Sequence, residues 1–242
     1  MAWSWYNERM EDHLEKMLNL WKSRYSKVYL GPLKRFFKDF DSDRLVKSML
    51  IAHDIGKLTD YYQKYLLGEI KYLMNYRHEV VSAAIARIMF QGEAWSMYVS
   101  AAILLSHEPI LLGQVGRSKE RYFTLTSAGR ILSMASRDSK DYVLLVKDGV
   151  NVINGLLKRE GFKERLYEKY RVVDCLRALK SVVVRTSLLR DKDVIRAKVS
   201  LLIHILTLID SLAARRRSGD EGGTFVSKRA KIAEIGEILW GN

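Results

Sequence analysis

A histidine and an aspartate stand side by side in the segment Ile51-Ala-His53-Asp54-Ile-Gly-Lys57. On a helix, neighbouring side chains point about 100° apart, so this pair presents an imidazole nitrogen and a carboxylate oxygen in adjacent directions. Both ligand types suit divalent first-row metals, and a carboxylate can bridge two ions through its two oxygens. Lys57 follows His53 by four residues and shares its helix face, where its cation can hold a phosphate near the metal. The segment therefore predicts metal-dependent chemistry on a phosphate.

The other four histidines and one aspartate are candidates to complete the site: His13, His78, His107, His204 and Asp210. His13 lies next to the core face of a predicted helix, and alone it would be a buried structural histidine. His78 and His107 lie at predicted helix ends, where capping or surface roles are the alternative. His204 precedes Asp210 by about 240° of helix, so we expect it in the core or behind the site. Asp210 lies in an apolar run, where a lone carboxylate is costly unless paired or metal-bound.

The charge of the chain predicts a polyanionic partner, with nucleic acid as the first candidate. Lysine and arginine number 41 and aspartate and glutamate 28, which gives a net charge of +13. Three basic clusters along the chain could hold a strand by its phosphates. The candidate contacts are Arg117, Lys119, Arg121, Arg215, Arg216, Arg217, Lys228, Arg229 and Lys231. The last six could alternatively form a solvated helix end that complements the helix dipole.

The composition favours an all-α fold, because the 242 residues include only 2 prolines and 15 glycines. We interpret the chain as a single domain with its core at about residues 8–217, a flexible loop at 218–224 and a short terminal helix at 225–242. Residues 111–126 predict a basic irregular loop. Cys175 is the sole cysteine, so no disulfide framework is expected. The chain shows neither a membrane-spanning run nor a signal peptide, which predicts a cytoplasmic location and no membrane partner.

Hydrophobic periodicity and capping residues predict where the helices lie. We expect helices over residues 5–21, 78–90, 95–106, 172–189 and 193–217, and another that starts near Ser42 or Asp43. Pro32 after Gly31 predicts a break in the chain. Residues 142–157 are ambiguous, because Asp148-Gly149 is a hairpin signal while the apolar residues recur every three or four positions. We favour a helix there and keep a minor hairpin as the alternative.

The His-Asp-Ile-Gly-Lys segment resembles the signature of the HD-domain phosphohydrolase superfamily. Within it, the ligand order is similar to that of the stand-alone HD nucleases of type I CRISPR systems. His13, Arg77-His78-Glu79, His107 and Asp210 resemble the histidines and the closing aspartate of that family. The likeness spans about residues 8–215. One departure is Ser106-His107-Glu108, where the family usually has two consecutive histidines, so either Ser106 replaces the first histidine or Glu108 replaces the second.

The resemblance implies an HD-domain helical bundle that binds two divalent ions. His13, His53, Asp54 and Asp210 would hold one ion, and Asp54 would bridge to a second held by His78, His107 and Glu108. The metal stays open among Mg, Mn, Ni, Co and Fe. Asp54 and Lys57 are the catalytic candidates, with Lys57 on the scissile phosphate. The implied activity is cleavage of single-stranded DNA, with RNA left open, during CRISPR interference.

Three rival functions fit the sequence less well. A nucleotide phosphohydrolase would need only a few local cations, which leaves the global charge unexplained. A cyclic-dinucleotide phosphodiesterase would carry a Gly-Tyr-Pro element after its histidine pair, whereas Glu108 is followed by Pro109-Ile-Leu-Leu. A basic binding module with a decayed site would not be expected to keep nearly every ligand type. Since no Walker-type phosphate loop occurs in the chain, unwinding would fall to a separate helicase of the interference machinery.

Overall fold

Helices make up most of the regular structure, so the all-α prediction is confirmed. The computed structural model describes residues 1–106, 125–136, 139, 141–187 and 191–214. The described helices are α1 (Met10–Leu20), α2 (Ser26–Phe36), α3 (Ser42–Ala52), α4 (Asp60–Leu66), α5 (His78–Met89), α6 (Ser96–Leu105), α7 (Leu125–Ala135), α8 (Lys147–Arg159), α9 (Val172–Ser187) and α10 (Lys192–Ala214).

The N-terminal segment begins with a small hairpin rather than with the predicted helix from residue 5. Strand β1 (Trp3–Trp5) pairs antiparallel with β2 (Glu8–Arg9), and α1 begins only at Met10. From there the chain stays helical through a π-helical turn, Trp21–Tyr25, into α2. The predicted break at Pro32 is wrong, because Pro32 lies inside α2. Gly31 has no Cβ atom, which removes part of the clash that normally keeps the residue before a proline out of a helix.

The segment that carries the His-Asp pair is built from two short helical pieces. Helix α3 is capped by Asp41, whose carboxylate accepts hydrogen bonds from the amides of Asp43 and Arg44, both at 3.1 Å. The cap is thus one residue before the predicted Ser42. Helix α3 ends at Ala52 with His53 as its C-cap, and a 3₁₀ helix then spans Ile55–Leu58.

The alternative of a hairpin turn at Asp148-Gly149 is wrong, because both residues lie in the first turn of α8. Asp148 there complements the positive end of the helix dipole. A Cβ atom at Gly149 would come within 2.4 Å of Cδ2 of Leu58, so the glycine serves close helix packing rather than a turn. The minor sheet instead pairs β3 (Tyr142–Leu144) antiparallel with the distant β4 (Lys169–Arg171).

The core is centred on α5 and α6, which pack along each other. Helix α10 packs on α6 and α1, and α9 packs on α5. By length and composition alone, Asp193–Ala214 of α10 could cross a membrane, with a mean hydropathy of 1.6 over its most apolar window. The contacts of α10 with α1 and α6 are those of a core helix in this bundle. Its length and composition are therefore only weak evidence for a membrane span.

Several predicted features lie outside the described residues. They are residues 111–124 of the basic loop, the loop at 218–224 and the terminal helix at 225–242. Leu125 and Thr126, which the sequence assigns to the basic loop, belong to α7. The division of the chain into a single domain stays a prediction.

Candidate metal centre

Five of the predicted site residues lie on four separate elements that meet at one buried point. His13 comes from α1, and His53 and Asp54 come from the end of α3. His78 is the first residue of α5, and Asp210 lies in the last turns of α10. His13, His53 and Asp54 each offer a ligand atom within 4.8 Å of the others, so this trio can hold a metal ion.

The ring of His53 is oriented by its own helix. Its Nδ1 lies 2.8 Å from the carbonyl oxygen of Leu50, an acceptor only, so Nδ1 carries the proton. The buried Nε2 then exposes a lone pair and has no hydrogen-bond partner among the described residues. Oδ2 of Asp54 lies 3.4 Å from it and Oδ1 of Asp210 lies 3.9 Å away. A lone pair that faces two carboxylates is poorly satisfied by protein alone, whereas a divalent cation fits it well.

His13 is held on both ring nitrogens by carboxylates. Its Nε2 lies 3.2 Å from Oδ1 of Asp210, and its Nδ1 lies 3.3 Å from Oε2 of Glu8. Complete burial acts to lower the pKa of His13, but the hydrogen bonds with Asp210 and Glu8 outweigh it and the pKa is raised. His13 and Asp210 therefore lie in close contact, at a place where a cation could bind between them.

The two oxygens of Asp54 point at different neighbours. Oδ2 accepts a hydrogen bond of 2.6 Å from Nζ of Lys57 and faces His13 and His53. Oδ1 lies 3.3 Å from Nε2 of His78. Burial by itself acts to raise the pKa of Asp54, but its interactions with His53, Lys57 and His78 lower it well below its usual range. Asp54 is therefore ionised, and its two oxygens face two different groups of candidate metal ligands.

His78 is the link between the motif and the next helix. Burial lowers the pKa of both His78 and His53, so their rings are neutral near pH 7, the form that binds metals. Nδ1 of His78 lies 3.7 Å from Oε2 of Glu79, and Oε1 of the same carboxylate accepts a hydrogen bond of 2.6 Å from Nε of Arg77. The Arg77-His78-Glu79 segment thus places a carboxylate behind the ring.

The opening of the site can be read from side-chain exposure. His13 is completely buried, and the side chains of His53 and Asp54 are at most 2% exposed. Asp210 and His78 are more accessible, at 24% and 14% of their side chains. A ligand would therefore approach from the side on which Asp210 and His78 lie.

Other predicted site residues lie outside the part of the chain that the structure describes. They are His107, Glu108, Arg117, Lys119, Arg121, Arg215, Arg216, Arg217, Lys228, Arg229 and Lys231. His204 is described, and the expectation that it lies in the core or behind the site is wrong. It is exposed on α10, where its Nε2 lies 2.8 Å from the hydroxyl of Tyr29.

Two residues that shape the site, Glu8 and Gly56, were not predicted to do so from the sequence. Glu8 is buried and contacts His13, Lys16 and the hydroxyl of Ser4. No sequence pattern marks it, because the hairpin that brings it to His13 is not periodic. Gly56 donates its amide to the hydroxyl of Ser82 at 2.8 Å, which ties the motif to α5. The glycine in His-Asp-Ile-Gly-Lys was the available signal for such a close backbone approach.

No family model matches the chain. A CRISPR-associated endonuclease Cas3-HD from Pyrococcus furiosus is 29% identical over 238 residues, 88% of this chain and 91% of that protein. Proteins of the same name from Methanocaldococcus jannaschii and Thermoproteus tenax are 26% and 27% identical, over 96% and 93% of this chain and 93% and 92% of theirs. This chain is similar to the CRISPR-associated HD nucleases.

The solved structure of a CRISPR-associated Cas3 HD domain protein from Methanocaldococcus jannaschii shares the fold. It superposes with a TM-score of 0.60 at 22% identity, and the alignment covers 84% of this chain and 97% of that one. The predicted resemblance is thus confirmed. All three sequence relatives are named endonucleases, which agrees with the predicted enzyme class, a metal-dependent HD-family hydrolase.

Proposed function

We propose that this HD-family chain hydrolyses phosphodiester bonds of single-stranded DNA during CRISPR interference. The observation that carries the proposal is the buried cluster of His13, His53 and Asp54, in which the bare Nε2 of His53 faces two carboxylates. The names of the sequence relatives and the net charge of +13 support a nucleic-acid substrate.

We assign the ligands to two ions. His13, His53, Asp54 and Asp210 would hold one, and Asp54 would extend its Oδ1 to a second, held also by His78, His107 and Glu108. The divergence of the Asp54 oxygens towards His53 and His78 supports this assignment. Divalent ions in such a site supply Lewis acidity and lower the pKa of water, which makes a nucleophile at neutral pH.

The residues of the chain supply position and charge around that chemistry. Glu8 and the Leu50 carbonyl orient the rings of His13 and His53. Lys57 places a buried cation 2.6 Å from Oδ2 of Asp54, where it would neutralise charge that develops on a phosphate. The exposed edge at Asp210 and His78 is the side from which the scissile phosphate would enter.

The substrate is tested with a panel of labelled oligonucleotides and mononucleotides, each incubated with and without divalent metal. We expect metal-dependent cutting of single-stranded DNA, little cutting of intact duplex and no release from mononucleotides, with RNA assayed alongside. Binding should weaken steeply with salt, because phosphate contacts release counterions. Hydrolysis of mononucleotides alone, or equal cutting of duplex and single strand, would overturn the proposal in favour of a nucleotide phosphohydrolase or a duplex nuclease.

A separate helicase would act with this chain, since its sequence contains no Walker-type loop. The candidate phosphate contacts are the basic clusters named from the sequence, Arg117 to Arg121, Arg215 to Arg217 and Lys228 to Lys231. Charge reversal there should raise the substrate concentration needed for half-maximal cleavage and leave metal binding unchanged. The test of the partnership is cleavage of a duplex target that begins only when helicase and ATP are added.

A further inference from the structure

A row of aromatic rings leads from the candidate metal centre to the surface. The ring of His78 lies 5.6 Å from that of Tyr62, and Tyr62 lies 6.1 Å from Tyr65 on the same helix, α4. Tyr65 is 5.7 Å from Tyr6, which is 5.6 Å from Trp5. Three ring-to-ring steps therefore separate His78 from Tyr6.

The two outermost rings of this row are exposed to solvent. Tyr62 is only 6% exposed, whereas Tyr6 and Trp5 at the tip of the β1–β2 hairpin are 51% and 37% exposed. Exposed aromatic rings in sequence neighbours, linked by successive ring contacts to His78 at the candidate metal centre, indicate a surface for a ligand with apolar flat faces. Arg9 is also exposed on β2 and adds a positive charge to the same hairpin.

The hairpin is held firmly against the motif that carries the site. The buried side chain of Gln63 accepts a hydrogen bond from the amide of Trp3 at 3.0 Å and donates one to its carbonyl at 2.9 Å. The same Nε2 of Gln63 also lies 2.7 Å from the carbonyl oxygen of Lys57. A hydrogen bond with Tyr65 fixes Tyr6 and raises its pKa to about 12. The exposed rings thus have a fixed position relative to the His-Asp segment.

We propose that Trp5 and Tyr6 form a stacking platform for the bases of an unpaired strand, a few nucleotides from the bond that is cut. The inference rests on the proposed nuclease function and adds to it a base-binding surface. Aromatic rings bind bases of any sequence, because every base has a π-face. A duplex keeps its base faces stacked inside, so a platform of this kind selects single strands.

The test measures binding without cleavage, in EDTA, with the full chain and a fluorescent oligothymidylate of about twelve nucleotides. Tyr6→Ala should weaken binding about tenfold, and the double change of Trp5 and Tyr6 to alanine should weaken it further. Tyr6→Phe should bind like the unaltered chain, because the ring remains while the hydroxyl bond with Tyr65 is lost. Tyr167→Ala is the matched control, since Tyr167 is 64% exposed and its ring contacts Tyr170 instead.

An abasic strand of the same length separates base stacking from phosphate contact. The unaltered chain should bind it more weakly, and Tyr6→Ala should bind it as the unaltered chain does. An equal loss from Tyr6→Ala on both strands, or no loss on either, would overturn the platform. Metal-dependent cleavage by the unaltered chain is measured in parallel. If the unaltered chain cleaves single strands and Tyr6→Ala binds them as well as the unaltered chain does, the platform alone is overturned. If the unaltered chain neither binds nor cleaves single strands, both proposals are overturned.

Discussion

Gly56 lies so close to the backbone of His78 that a Cβ atom at position 56 would come within 2.0 Å of the His78 carbonyl oxygen. The carbonyl oxygen of Gly56 accepts a hydrogen bond of 2.8 Å from the hydroxyl of Tyr76, and its amide donates to Ser82. The glycine of the His-Asp-Ile-Gly-Lys segment therefore sets the distance between Asp54 and His78, because it allows two backbones to touch.

Gly56→Ala should force these two backbones apart. We expect the free energy of unfolding to fall by about 1–3 kcal/mol, the usual cost of an overpacked core position. Gly155→Ala is the control, because Gly155 is exposed inside α8 and a Cβ atom there would meet nothing within 4 Å, so alanine should stabilise by about 0.5–1 kcal/mol. Urea denaturation of both variants provides the measurement, and equal stability of Gly56→Ala and the unaltered chain would contradict the argument.

Asp54→Asn should abolish metal binding and activity while the fold is kept. The amide has nearly the same shape and can still accept the hydrogen bond from Lys57, but it lacks the charge that attracts a cation and the second anionic oxygen that faces His78. Turnover should fall by at least about 100-fold. Calorimetric titration with Mn²⁺ and a circular dichroism spectrum are read together, and a folded variant that cleaves at the normal rate would refute the assignment of Asp54.

Lys57→Met should slow cleavage without weakening metal binding. The buried Nζ of Lys57 pairs with Oδ2 of Asp54, so its loss removes a repulsive charge from the candidate metal centre. We expect turnover to drop by about 10- to 1000-fold, as for the loss of one charge-stabilising donor, while Mn²⁺ binds at least as tightly.

Lys64→Met is the matched control for that change, because Lys64 is 40% exposed and pairs with Asp60. It should leave both turnover and Mn²⁺ affinity unaltered. Loss of bound metal from Lys57→Met would make the lysine a structural part of the centre.

Glu8→Gln should weaken metal binding although Glu8 is not among the proposed ligands. Glu8 lies behind His13, 3.3 Å from Nδ1, and favours the ring form whose Nε2 faces Asp210. Losing a carboxylate that orients a ligand histidine typically costs 10- to 100-fold in metal affinity, about the drop expected here. Glu15→Gln on α1, which pairs with Arg159 at the surface, should leave the affinity unchanged. Normal Mn²⁺ affinity in Glu8→Gln would show that Glu8 serves only the hairpin.

The sequence alone determined the features that depend on local chemistry. Helical periodicity predicted α5 and α6 nearly to their ends, and the scarcity of proline and glycine predicted the fold class. The adjacent His53 and Asp54 indicated a metal site without knowledge of any distance. Local rules failed where packing outweighed them, at Pro32 inside α2 and at Asp148-Gly149 inside α8.

The tertiary structure decided how the distant parts of the chain meet. The packing of α10 against α1 brings Asp210 to His13 across nearly 200 residues, and the hairpin brings Glu8 to the other side of the same ring. No periodicity or motif encodes such distances, because they follow from the way whole helices pack. The position of the hairpin that carries Tyr6 and Trp5 has the same origin, since Gln63 on α4 holds that hairpin by two hydrogen bonds with Trp3.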